Sequence, residues 1–237
     1  KQFGKNYRFN TFFMGDNSIE KGTLEGNFYI KGMGDPSLER ADLIAIVSRL
    51  KKMGLTKISG DIVYDTSLFK TDKRNNFKSA RYYNAPSSAL SVDSNQLNLI
   101  IDPVSKKIVS EFSTNYADIK CYGDVYLTGA KQGFPWPVIR PRAKTDNYII
   151  YGDVTPKDQK HKFLNVLVSR PGLFFTTQFK EICTEQGISI SGDIVQGVVP
   201  KYHKVLLEYK GETLESIIYN LNQESDNVVA KILNRNL

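Results

Sequence analysis

Apolar residues recur along this chain at two spacings, and the elements follow from them. Leu43, Ile46, Val47, Leu50 and Met53 form a stripe at helical spacing, and Gly54 can take the left-handed conformation that ends a helix. Phe175, Phe179, Ile182 and Cys183 form a second stripe, stopped at Gly187. Leu214, Ile217, Ile218 and Leu221 form a third, and Val228, Val229, Ile232 and Leu233 a fourth. Between those last two stripes Glu224-Ser225-Asp226-Asn227 reads as a short polar link between amphipathic helices. Elsewhere the spacing is that of strands. Residues 7–13 alternate and end in a turn at 15–17, and 24–30 make a second strand closed by Gly32 and Gly34. Further strands are expected at 58–63, 96–101, 119–122, 125–128, 148–151, 164–168 and 204–209, with turn clusters at 102–103, 129–137 and 153–156.

One unit of helix, glycine and strand occurs twice. Ile58-Ser59-Gly60-Asp61-Ile62-Val63 returns in every position as Ile190-Ser191-Gly192-Asp193-Ile194-Val195. Two copies fall short of the three that a solenoid needs, so the reading is one packing solution used in two compact domains. The repeated aspartate is taken as a polar turn or bulge residue beside glycine rather than as chemistry. Gly32-Met33-Gly34-Asp35-Pro36 lacks the third glycine and the Lys-Ser/Thr of a phosphate loop and reads as a structural turn.

Composition narrows the picture. The chain has 237 residues, 41% hydrophobic and 24% charged, which suits a globular protein of one large domain or two to three small ones. No apolar run reaches the roughly 18 residues of a membrane span, so no transmembrane segment is expected. Lys+Arg 32 against Asp+Glu 25 gives +7, which would suit an anionic partner. The basic residues are scattered over Lys51-Lys52, 70–78 and 157–162, with no Arg-rich arm, so they read as solvated faces and no nucleic acid is expected. Cys121 and Cys183, with only His161 and His203 beside them, have no metal-site spacing; neither metal nor cofactor is expected. The two cysteines could pair in an oxidising compartment, but the apolar helical face around Cys183 favours a buried thiol. Trp136, between Pro135 and Pro137, reads as an anchor of its loop, with an exposed aromatic for a ligand as the alternative. Lys1-Gln2-Phe3-Gly4 reads as the interior of a domain rather than a targeting segment.

The candidate chemistry lies in Ser225 and Asn227. Ser225 or Asp226 could simply cap the following helix by accepting its free amide hydrogens. The alternative comes from a resemblance: Ser-x-Asn in an interhelical link is one of three motifs of penicillin-recognising enzymes, beside Ser-x-x-Lys and Lys-Thr-Gly. There the serine hydroxyl relays a proton and the carboxamide, which both donates and accepts, orients the substrate.

Several ordered stretches carry the resemblance further. Tyr7-Arg8-Phe9-Asn10-Thr11, Gly22-Thr23-Leu24-Glu25-Gly26-Asn27, Gly34-Asp35-Pro36-Ser37-Leu38, Gly60-Asp61-Ile62-Val63-Tyr64-Asp65, Asn84-Ala85-Pro86-Ser87-Ser88-Ala89, Gly187-Ile188 with Gly192, and Glu224-Ser225-Asp226-Asn227 are similar to stretches of one family. This is the family of low-molecular-mass class C penicillin-binding proteins, the D-alanyl-D-alanine carboxypeptidases and endopeptidases of the penicillin-binding protein 4 type. It implies an α+β fold in which a serine transpeptidase-like penicillin-binding domain is interrupted by two nested, strand-rich inserted domains. Residues 1–9 and 206–237 would be the partial catalytic domain, 10–31 and 103–205 the outer insert, and 32–102 the nested one. The repeated unit would fall once in each insert.

The resemblance implies a periplasmic or extracytoplasmic hydrolase of peptidoglycan stem peptides that works through an acyl-enzyme and is trapped by beta-lactam antibiotics. Ser225 would pass a proton toward the leaving D-alanine and Asn227 would bind the peptide, with Asp226 structural. No Ser-x-x-Lys stands upstream of the matching stretches and no Lys-Thr-Gly follows them, so the chain is expected to begin after the first motif, stop before the third and be inactive alone. Lys231 stands where the family usually has an acidic residue, and Lys210-Gly211-Glu212-Thr213-Leu214 departs from its Ser-x-Pro-Leu approach. The alternative is a non-catalytic cell-envelope binding module.

Overall fold

The computed structural model describes residues 3–70, 82–102, 107–110, 115–122, 136–141, 146–151 and 162–236. In chain order they form strands β1 (Arg8–Gly15), β2 (Ile19–Glu20), β3 (Thr23–Leu24) and β4 (Phe28–Gly32), helix α1 (Arg40–Lys52), and strands β5 (Lys57–Ile58) and β6 (Ile62–Asp65). Then come strands β7 (Gln96–Asp102), β8 (Lys107–Ser110), β9 (Ala117–Tyr122), β10 (Trp136–Pro141), β11 (Asp146–Tyr151) and β12 (Lys162–Leu167). Helix α2 (Pro171–Glu185), strands β13 (Ser189–Ile190), β14 (Ile194–Gln196) and β15 (Lys204–Thr213), and helices α3 (Leu214–Glu224) and α4 (Asn227–Asn236) complete this mixed α and β arrangement. The strand expected at 125–128 and His161 lie outside the described residues.

The contacts divide the chain into two compact units, one of Lys1–Lys73, Ser87–Ser94 and Arg170–Leu237, the other of Arg74–Pro86 and Asn95–Ser169. In the first, α1 buries Leu43, Ile46, Val47 and Leu50, and α2 buries Phe175, Phe179, Ile182 and Cys183, as their spacing requires. Both helices end alike. Leu55 N donates to Leu50 O and Gly54 N to Lys51 O, while Ile188 N donates to Cys183 O and Gly187 N to Thr184 O, with φ +95° at Gly54 and +81° at Gly187. This left-handed termination satisfies the last carbonyls and turns the chain back under an apolar residue, Leu55 or Ile188.

Beyond each of these glycines the chain departs from the expected single strand. Within 58–63 and 190–195, Ser-Gly-Asp bends each segment out of one sheet and into another. The two copies also do not sit in separate domains; they lie side by side in the same unit. Ile190 pairs with Ile58 in the four-stranded sheet β13-β5-β3-β2, and Ile194 with Ile62 in the five-stranded sheet β14-β6-β4-β1-β15, both in parallel. A third rung comes from Leu24-Glu25-Gly26-Asn27-Phe28, where Leu24 pairs with Ile58 and Phe28 with Ile62. That copy shares the glycine and the two apolar ends but has Asn for Asp, which hides it from identity matching. The five-stranded sheet thereby takes strands from all three spans that the resemblance would assign to separate domains.

The bends are laced together. Asp16 Oδ2 accepts Asn27 N at 2.7 Å, Asn27 Oδ1 accepts Asp61 N at 2.9 Å, and Asp61 Oδ1 accepts Asp193 N at 2.8 Å. In step with them, Gly60 N donates to Gly26 O and Gly192 N to Gly60 O. The last acceptor, Gly192 O, takes a hydrogen bond from Lys180 Nζ at 2.7 Å, which closes the stack with a charge. Asp61 is therefore the turn residue it was read as. A Cβ at Gly192 would lie 2.3 Å from Asp61 Oδ1 and 2.4 Å from Gly60 O. Gly192→Ala is accordingly expected to lower stability by about 2–3 kcal/mol through forced separation of the rungs, read as a drop in urea midpoint at constant m. An unchanged midpoint would show that the bend can slide to admit a methyl group.

Among the described residues the second unit holds two three-stranded sheets, β12-β7-β8 and β10-β11-β9. Trp136 and Pro137, expected in a loop, begin β10 instead and pair with Tyr151 and Ile150. Pro137 is tolerated because β10 is an edge strand among the described residues, with no donor needed on its outer side. Buried Asp146 accepts Tyr116 OH at 2.6 Å, Ser169 N at 2.8 Å and Ser169 Oγ, so that donors from two other segments satisfy its oxygens.

Candidate active site

β15 runs into α3 without a loop, and Thr213 marks the junction by accepting Ser216 N at 3.2 Å. Helix α3 then ends at Ser225, whose φ of 52° and ψ of 42° place it in the left-handed region that normally calls for glycine or asparagine. The chain reverses there, and Asp226 starts α4 by accepting Val228 N at 2.7 Å and Val229 N at 3.1 Å. Phe9, Ile217 and Val229 form a small core, with Leu214, Leu221 and Leu233 packed against it, and this fixes α3 and α4 below the elbow.

The capping of α4 thus falls to Asp226. Asp226 takes the free amides, which leaves the Ser225 hydroxyl and the Asn227 carboxamide exposed on either side of it. A serine held at positive φ costs about 1–2 kcal/mol relative to glycine. Such an elbow presents a hydroxyl that can relay a proton and a carboxamide that can donate and accept to an extended peptide. Lys231, one helical turn beyond Asn227, is also exposed.

The far end of α4 is anchored. The Arg235 guanidinium stands 4.7 Å from the Phe69 ring, donates to Ser87 Oγ at 3.2 Å, and also donates to the Lys70 carbonyl. Asn236 Nδ2 donates to Gly34 O at 3.0 Å. That last contact leads to a group whose importance the sequence did not reveal. Asp35, in the turn after β4, is 1% exposed; its Oδ1 accepts Ser37 N at 2.9 Å and Ser37 Oγ at 2.6 Å, while its Oδ2 has no partner. Burial pushes its pKa up from 3.8 to about 6; the Ser37 bonds oppose that rise, and the Asp42 and Glu212 carboxylates add to it. The Asp-x-Ser spacing announces the side-chain-closed turn, but not its burial.

Three Ser-x-x-Lys spacings do occur within the chain: Ser18 with Lys21, Ser48 with Lys51, and Ser67 with Lys70. Only the second lies on a helix. There Ser48 Oγ donates to Gln186 Oε1 at 3.0 Å and Lys51 Nζ donates to the Gln186 carbonyl, so both side chains dock α1 on the end of α2. Burial raises the pKa of the free Cys183 thiol, which leaves it inert. Among the described residues no cluster of His, Cys, Asp and Glu could hold a metal ion, and no helix is long and apolar enough to cross a membrane.

Comparison with known proteins places these features in context. A sequence model of the D-Ala-D-Ala carboxypeptidase 3 (S13) family matches residues 1–237. D-alanyl-D-alanine carboxypeptidase DacB of Haemophilus influenzae is 24% identical over 97% of this chain and 49% of its own length. The crystal structure of penicillin binding protein 4 (dacB) from Haemophilus influenzae superimposes with a TM-score of 0.79 at 24% identity, covering 98% of this chain and 52% of that one. The same protein complexed with a novel beta-lactam gives 0.72 at 23% identity, over 97% and 50%. The chain thus spans about half the length of the relatives it matches.

Proposed function

Because this chain belongs to the D-Ala-D-Ala carboxypeptidase 3 (S13) family, we propose that it is part of a serine-type D-Ala-D-Ala carboxypeptidase or endopeptidase that cleaves peptidoglycan stem peptides outside the cytoplasmic membrane. The observation that carries this reading is the division of labour at the elbow, where Asp226 does the capping and Ser225 and Asn227 stay exposed. In the proposed reaction a serine outside this chain attacks the carbonyl of the terminal D-Ala-D-Ala bond and the leaving D-alanine amine takes up a proton. The Ser225 hydroxyl relays that proton, and the Asn227 carboxamide holds the stem peptide in line through paired hydrogen bonds. A beta-lactam would enter the same cycle and stay as the acyl-enzyme.

The domain layout belongs to the same proposal: a partial catalytic domain at 1–9 and 206–237, interrupted by an outer insert at 10–31 and 103–205 with a second, 32–102, nested in it. The separate compactness of Arg74–Pro86 with Asn95–Ser169 supports an interruption by inserted chain, and that unit draws on both of the spans proposed as inserts.

The test is labelling with a fluorescent penicillin. This chain should take up no covalent label, since it lacks the proposed nucleophile, and a form extended at both ends should be labelled, with hydrolysis of a D-Ala-D-Ala peptide alongside. Labelling of the short chain would place the nucleophile within residues 1–237 and overturn the mechanism; an extended form that neither labels nor hydrolyses would favour the envelope-binding module.

A further inference from the structure

The turn at residues 34–37 touches the last turn of α4 and the end of β15 that leads into α3. Gly34 O accepts Asn236 Nδ2 from the last turn of α4, and Ser37 Oγ accepts Glu212 N at 3.0 Å, one residue before the cap of α3. The second contact is held in place by Asp35, whose Oδ1 takes the amide and hydroxyl of Ser37, the residue that receives Glu212 N. Its other oxygen is buried without a donor and lies so close to Gly211 that a Cβ there would stand 2.0 Å away. We propose that this turn is a proton-operated clasp on the α3–α4 hairpin, tight when the buried Asp35 carboxyl is protonated and loosened when it ionises, so that acidity sets how firmly the Ser225–Asn227 elbow is held.

The charged surroundings give the direction. Asp42 of α1 and Glu212 of β15 face Asp35 with like charge. Arg8 of β1 donates from its guanidinium to the Gly211 carbonyl, and Tyr209 of β15 donates its hydroxyl to Asp42. Arg235 of α4 is turned to Phe69, Lys70 and Ser87. An ionised Asp35 therefore has an orphan oxygen and two carboxylates nearby. With the clasp closed the carboxyl titrates at about 6, and exposed it would return to 3.8. The carboxyl is protonated in both forms below 3.8. Clasp stability falls as pH rises from there to about 6 and stays low above it, a loss of one to two orders of magnitude in the closed-to-open ratio.

The proposal does not depend on the catalytic reading, and this chain alone suffices to test it. Amide exchange at Glu212, corrected for its intrinsic pH dependence, reports the clasp, and the amides of 225–227 report the elbow. The expected result is a ten- to hundred-fold fall in Glu212 protection between pH 4.5 and 7.5, with the elbow resonances moving on the same midpoint near 6 as the Asp35 carboxyl carbon. In Asp35→Asn both responses should be flat. Should that variant fail to fold, Glu212→Gln serves instead, since removing a facing carboxylate should lower the Asp35 midpoint and the elbow midpoint together. An Asp35 midpoint near 4, elbow resonances that do not follow Asp35, or a pH response that survives in Asp35→Asn would each overturn the clasp.

Discussion

Asn227→Ala, made in the protein extended at both ends, is expected to slow acylation by a penicillin or a D-Ala-D-Ala peptide by roughly two orders of magnitude, about 3 kcal/mol, the loss that follows when a group aligning the substrate with the nucleophile is removed. Thermal stability should hold within about 0.5 kcal/mol, because the side chain is exposed and Asp226, not Asn227, caps α4. Ser225→Gly makes the complementary case. Glycine accepts a φ of 52° without strain, so the backbone is relieved while the hydroxyl is lost. Measured together, the second-order acylation rate and the melting temperature separate the two roles of this link. If both variants melt early and the remaining folded enzyme acylates normally, the elbow is a structural joint and the catalytic assignment fails.

Phe179→Ala should carry the largest cost in stability. Phe179 lies on α2, fully buried, with its ring 5.6 Å from that of Phe13 on β1 and 5.4 Å from that of Phe28 on β4, both stacked. Removing it leaves a ring-sized void at the place where helix and sheet join, expected to cost about 3–5 kcal/mol, with Phe179→Leu costing less than half as much. Urea unfolding at constant m would measure both. A loss near 1 kcal/mol for the alanine variant would mean that Phe13 and Phe28 collapse into the gap and that the packing is looser than the stacked rings imply.

The helices were legible in the sequence because α1, α2, α3 and α4 each carry an apolar stripe at spacing three and four, although α2 buries every residue from Phe174 to Phe179, and the glycines at 54 and 187 mark ends that local backbone chemistry alone dictates. The polar link at 224–227 could be placed for the same reason. Which of its residues works as a cap could not be read, since Ser225 and Asp226 are both good acceptors and only the left-handed turn at Ser225 hands the amides to Asp226. The parallel stacking of residues 24–28, 58–62 and 190–194 was hidden by distance along the chain, and its first copy by the exchange of aspartate for asparagine. Asp35 looked like a turn residue and is one; its burial depends on Gly211, far away in sequence, coming close enough to shut out water.

The stack of bends also has a timetable. Its first two rungs are 34 residues apart and its third lies a further 132 residues on, as Leu24, Ile58 and Ile190 mark. A ribosome adding about 5–20 residues per second would leave the outer edge of the second rung without its neighbour for on the order of ten seconds, during which the whole of Arg74–Pro86 and Asn95–Ser169 emerges. Closing so long a loop makes the arrival of residues 190–196 a late event in folding, and until then the bare edge at 58–65 is the part of the nascent polypeptide most open to pairing with a stranger.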